Sequence, residues 1–277
     1  MSSTPEPRDQ LTPAPQEAGA LLAGVVDVAT AAGQRLLALF SSTSRPGDRE
    51  AMVAAARANE EAAGAGLQEA LQQLRPQARR LAEEQETTAL PEGEWWVVDT
   101  VEGNVNHVHG LPRWCVSITL VRDGDPVLTV VRQPVGDLTY TAVRGGGAHL
   151  NGQVLSASAK QGLDVAVVET GQAEAGQRET YARIGASITA MLGSALAVRA
   201  QVPSTFPMLS VAAGHTDAFW QYAPTLPGVA AGILLVTEAG GTATTIDGAT
   251  WAPGADTVLV AGSGVHAAVR NVLASVS

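Results

Sequence analysis

Asp99 and Glu102 stand three residues apart where an apolar run, Trp95–Asp99, meets Gly103, and Asn104, His107 and His109 follow closely. A tight turn at Gly103 lets carboxylates at i and i+3 converge on one point. A carboxylate that closes an apolar strand is costly without a partner, which favours a functional role for Asp99. Neutral imidazole is the side chain best suited to moving protons near pH 7. His107 is therefore a candidate acid–base group, with Glu102 or Asp99 as its nearest carboxylate. With His109 it makes an H-x-H pair whose members would share one face of a strand. A packed, hydrogen-bonded core role competes for His107 and is the favoured reading for His109. Glu60 and Arg57 lie one turn apart on a segment read as helix, which fits a surface salt bridge as well as a site.

These residues need a scaffold, and 277 residues suffice for one large or two small domains. With 45% hydrophobic and 16% charged residues the chain is globular rather than disordered. Acidic residues exceed basic ones, 27 to 17, which argues against nucleic acid or an anionic membrane as partner. The single cysteine, Cys115, excludes an intrachain disulfide and a thiolate-built metal site, and reads as a small buried hydrophobe. No apolar run is read as long enough to span a membrane and no signal pattern opens the chain, so a cytoplasmic protein is expected.

Residues 1–18, rich in Pro, Ser and Thr, read as a mobile tail ahead of one domain with halves 19–155 and 156–277. Apolar residues at helical spacing predict a helix over 19–40, and a second runs over 50–74 until Pro76. Strands are predicted at 95–99, at 116–121 and 126–132 around the Asp123-Gly124 turn, and at 138–143. Strands at 165–169, 196–200, 217–221 and 257–261 then alternate with helices at 178–192, 206–214, 228–239 and 265–274. That alternation indicates a layered α/β fold.

Trp96-Val97-Val98-Asp99-Thr100-Val101-Glu102-Gly103-Asn104-Val105-Asn106-His107-Val108-His109-Gly110 resembles the W-I-I-D-P-I-D-G-T-x-N-F-x-H-G signature of the inositol monophosphatase family. Tyr140–Ala148 with Asn151-Gly152, Val211–Trp220 and Val229–Gly241 are similar to three further family segments, in the same order. The resemblance covers nearly everything after residue 19. It implies stacked α-β-α-β-α layers, a magnesium cluster, a small-molecule substrate and a homodimer; the fold alone does not fix the reaction.

Carried over position by position, the family's first metal ligands fall on Glu83, Asp99 and the carbonyl of Val101, a set able to hold one hard cation. The departures are chemical. The second signature Asp is Glu102, and the later metal-binding Asp falls on Gly228, which has no side chain to coordinate anything. The water-activating Thr is Asn104, which cannot relay a proton as a hydroxyl can. Its upstream Asp partner falls on Glu60 with Arg57 in place of a Thr, or on Arg57 if the alignment slides by three. The family aromatic is His107. Around the substrate, Arg199 stays, a family Glu becomes Gln221, and G-S-A-A-L-D-L becomes Val202–Met208. The resemblance thus implies one magnesium at most. Three readings follow. The leading one is a re-purposed enzyme doing non-hydrolytic acid–base chemistry (cyclisation, isomerisation or elimination) with Glu60, Glu102, Asn104 and His107. The others are a magnesium-dependent phosphatase of a small phosphorylated polyol or nucleotide, and a non-catalytic pseudophosphatase.

Overall fold

Leu21, Val25, Ala29, Ala32 and Leu36 recur every three or four residues and form the buried stripe of α1 (Pro15–Leu39). The computed structural model describes residues 15–43, 45–82, 85–173 and 176–276. The helix starts at Pro15, ahead of the predicted boundary; most of the expected N-terminal tail lies outside the described residues. Its segment Ala18–Leu39, with mean hydropathy 1.3, is long and apolar enough to cross a membrane, contrary to the expectation from sequence. Here its stripe packs on the first sheet instead, together with Trp114, Ile118 and Val130. Leu36→Ala in that stripe would cost about 2–5 kcal/mol.

The helix expected over 50–74 is two helices. Gly66, at φ +70°, separates α2 (Arg49–Gly64) from α3 (Leu67–Leu74). Asp48 caps α2 by accepting from Ala51 N at 2.8 Å. The first sheet runs in chain order: β1 (Arg79–Arg80), β2 (Glu94–Glu102), β3 (Cys115–Arg122), β4 (Asp125–Gln133), β5 (Leu138–Val143), β6 (Ala148–Leu150) and β7 (Gln153–Val154). A one-turn helix, α4 (Asn104–Val108), sits between β2 and β3. The second sheet comprises β8 (Val167–Thr170), β9 (Ala197–Ala200), β10 (Ala218–Tyr222), β11 (Gly241–Thr244) and β12 (Thr257–Gly262), in the order β11-β12-β10-β8-β9. Its helices are α5 (Arg178–Leu192), α6 (Thr205–Ala212), α7 (Leu226–Glu238) and α8 (His266–Ala274).

The layers stack α-β-α-β-α. Helices α1 and α2 cover one face of the first sheet, α6 and α7 lie between the sheets, and α5 and α8 cover the far face of the second. Position explains composition: α7 is apolar on nearly all sides because sheets enclose it, with Val229 through Val236 all buried. One carboxylate on α7, Glu238, accepts from Gly145 N at 2.9 Å and Gly147 N at 2.8 Å, fastening the glycine turn after β5. The central layer carries the start of both its helices to the end of β2, where the candidate site lies.

Candidate active site

On a regular strand, residues i and i+3 point to opposite faces. The β2–β3 ladder shifts register between Asp99 and Glu102, and this irregularity turns both carboxyls to one side. They lie close enough for the charge of one to act on the other. Glu102 is buried, and burial pushes its carboxyl well above the usual carboxylate range, with the charge and contact of Asp99 adding to the effect. Thr205 N, at the start of α6, donates to Glu102 Oε1 at 3.3 Å and works in the opposite direction. Val101 N donates to Asp99 Oδ1 at 2.9 Å and fixes that side chain. The strand can turn here because Gly103 takes φ +85°; a Cβ would stand 2.7 Å from Arg113 O.

Two carboxyls forced together repel unless a proton or a cation lies between them. Their hard oxygens, with the Val101 carbonyl, suit magnesium. Glu83, the third side chain of that set, lies outside the described residues, and among the described residues no cluster of three His, Cys, Asp or Glu forms. Thr205 Oγ1 donates to Gly228 O at 3.4 Å while its N–H holds Glu102, so one residue ties Gly228 to the carboxyl pair. Gly228 is thus beside the cleft but offers no side chain.

Asn104 and His107 are on α4, not on a strand, which corrects the H-x-H reading. Helical geometry buries His107 and leaves His109 at the surface, donating through Nδ1 to Val105 O at 2.8 Å. His107 Nε2 lies 3.0 Å from Leu36 O, an acceptor, so this nitrogen carries the proton. Its Nδ1 then accepts from Asn59 Nδ2 at 2.9 Å, and the ring packs edge-on against Phe40 and Trp114. Burial lowers its pKa, and among the described residues no carboxylate is bonded to it. The pairing of His107 with Glu102 or Asp99 therefore does not form, because both ring nitrogens are already engaged. Asn59 is the residue that the sequence did not reveal. Its amide also donates to Asn104 Oδ1 at 2.8 Å, and Asn104 Nδ2 donates to Ala56 O at 3.0 Å and Glu60 Oε1 at 3.2 Å. The structure thus brings Glu60 to Asn104.

Arg57 is exposed in a shallow hollow along α2 with Arg49, Glu50 and Glu61, a different hollow from the one Glu60 lines. Among the described residues, no ion pair joins it to Glu60. On the other side, Gln221 of β10 accepts from Ser204 Oγ, next to the Thr205 that holds Glu102. Arg199 of β9 is exposed and in register with Glu169 of β8, whose buried carboxyl is raised by desolvation. Glu169 accepts from Gln201, which accepts from Arg113 Nη1 at 2.6 Å, so a polar chain links the loop before β3 to the second sheet.

Five stacked layers with two carboxyls converging at a strand end define an α/β sandwich with an acidic cleft in its central region. The chain belongs to the inositol monophosphatase family, whose sequence profile matches residues 19–275. It is 33% identical over 208 residues to an inositol-1-monophosphatase of Rhizobium meliloti, covering 75% of this chain and 78% of that one. To the Nus factor SuhB of Xylella fastidiosa it is 34% identical over 146 residues, 53% of each chain. The structure of an inositol monophosphatase from Anabaena (Nostoc) sp. PCC 7120 superposes with a TM-score of 0.80 at 25% identity, covering 94% of this chain and 97% of that one.

Proposed function

We propose that this chain is a magnesium-dependent phosphatase of a small phosphorylated molecule. The observation that carries the proposal is the Asp99–Glu102 carboxyl pair, Glu102 buried and Asp99 half-buried, brought together by a register shift in β2. Asp99, Glu102, the Val101 carbonyl and Glu83 would hold the cation. When bound, magnesium polarises a phosphoryl oxygen and neutralises its developing charge. Glu60, with Oε1 fixed by Asn104, keeps its second oxygen for orienting the attacking water. Gln221 and Arg199 supply polar contacts for the substrate. The relatives named as inositol monophosphatases make an inositol phosphate the first substrate to try. A cytoplasmic homodimer completes the proposal.

This replaces non-hydrolytic chemistry as the leading reading. Its acid–base pair required His107, whose ring nitrogens are both engaged. A second reading, a protein with little or no hydrolytic activity, draws on Gly228 and on an Asn104 amide whose oxygen and nitrogen both have protein partners. Phosphate release measured against magnesium concentration separates them: activity that rises with magnesium supports the phosphatase, and none at any concentration supports the second reading.

A further inference from the structure

Strands β8, β9 and β10 run parallel, with β8 between the other two. The chain leaves β8 into α5, on the far face of that sheet, and leaves β9 into α6, in the central layer. Loops that part in opposite directions open a crevice outside the carboxyl ends of the two strands, and α/β sheets bind ligands at such switch points. A cavity of about 380 Å³ lies there, lined by the segments that end and follow β8 and β9 and by the first half of α5.

The wall of this cavity is apolar. Ala173, Tyr181, Ile184, Ala200 and Val202 supply most of it, and among the described lining residues none is charged. Polar groups in the wall are committed to the protein. Tyr181 Oη accepts from Gly176 N at 2.7 Å, and the Gln201 amide accepts from Arg113 while donating to Glu169. Gly185 adds room. It sits in the middle of α5, where glycine is unfavourable, and a Cβ on it would meet nothing within 4 Å, so internal packing does not require it. The cavity meets the candidate site at Gly171, which lines it and whose Cβ, if present, would stand 2.8 Å from Gln221 Oε1. Ser204 Oγ donates to that same oxygen, and the next residue, Thr205, holds Glu102 through its N–H. One glycine thus separates the cavity from Gln221, and Ser204-Thr205 joins Gln221 to the carboxyl pair. The acceptor end of the Gln221 amide is turned to the protein, away from any substrate hydroxyl.

Resting on the phosphatase reading, we propose that the alcohol esterified in the substrate carries an uncharged apolar ring or chain, received by this cavity while the phosphate lies at Asp99 and Glu102. The hydroxyls of a polyol would lose water against this wall without gaining partners. An apolar ring gains by the same burial, and the Tyr181 ring offers it an aromatic face.

The test is calorimetry in excess magnesium with phenethyl phosphate and inositol 1-phosphate, on wild type and on Gly185→Leu. Wild type should bind phenethyl phosphate more tightly by roughly tenfold. Gly185→Leu places a side chain in the cavity while favouring the helix, so the variant should fold and the ratio should fall to about one. Equal affinities in wild type, tighter binding of inositol 1-phosphate, a preference that survives Gly185→Leu, or no binding of either ester would overturn the proposal. Phosphate release from inositol 1-phosphate without the apolar preference would leave the phosphatase reading standing alone. The apolar preference without phosphate release from either ester would retire that reading and keep the cavity as a binding site.

Discussion

Asn59 donates to His107 Nδ1 at 2.9 Å, and that bond fixes the buried imidazole as its neutral Nε2–H tautomer. The same amide holds Asn104, so α1, α2 and α4 are fastened by one chain of hydrogen bonds beside the cleft. Asn59→Ala leaves His107 Nδ1 and Asn104 Oδ1 without their donor. Stability should fall by about 1–3 kcal/mol, read as a lower urea midpoint at unchanged slope. An unchanged midpoint would show that the amide bonds are dispensable.

His107 also predicts a pH dependence. Its folded pKa is lowered by burial from the ordinary value near 6.5, so folding favours the neutral ring. The stability this contributes is fully present above about pH 6.5. It is lost as pH falls from there through the lowered folded value. His107→Phe removes this titration, so the stability advantage of wild type over the variant should shrink as pH falls through that window. It should also lower stability at pH 7.5, since Leu36 O and Asn59 Nδ2 lose their partner. A variant as stable as wild type at pH 7.5 and throughout that window would mean that the imidazole only fills space.

Gly228→Asp restores a carboxylate beside the cleft. Its Cβ would meet Thr225 Oγ1 at 3.2 Å, so that hydroxyl must give by a few tenths of an ångström. Magnesium affinity should rise by roughly tenfold or more, as ligand charge count tunes such sites, and calorimetry reads this directly. Unaltered affinity would place residue 228 outside the metal's reach.

Glu60→Gln keeps the acceptor oxygen for Asn104 and removes the charge that orients water. Phosphate release should drop by roughly 10²–10⁴-fold while calorimetric magnesium affinity changes little. A rate within twofold of wild type would assign water activation elsewhere.

Much of this molecule was legible in its sequence because the signals were local. The strand Leu138–Val143 and the helix Arg178–Leu192 lie where alternation and helical spacing put them. The convergence of Asp99 and Glu102 was also readable, though not its cause, because a register shift depends on the partner strand. Reading His107 as a strand residue failed because the left-handed Gly103 starts a helical turn, and a glycine there signals only that the strand ends. Asn59 left no trace: it sits in a helix rich in Ala and Glu, and its partners lie 45 and 48 residues away. The break between α2 and α3 was available in the Gly64-Ala65-Gly66 run but was outweighed by the helix-forming residues around it.

The most direct measurement of the central claim is phosphate release from inositol 1-phosphate and a panel of small phosphate esters, with magnesium titrated from none to saturation. We predict release that requires magnesium, stops when a chelator is added, and is lost in Asp99→Asn while that variant stays folded by circular dichroism. No release from any ester at saturating magnesium by a folded wild-type protein, or full release in Asp99→Asn, would contradict the account.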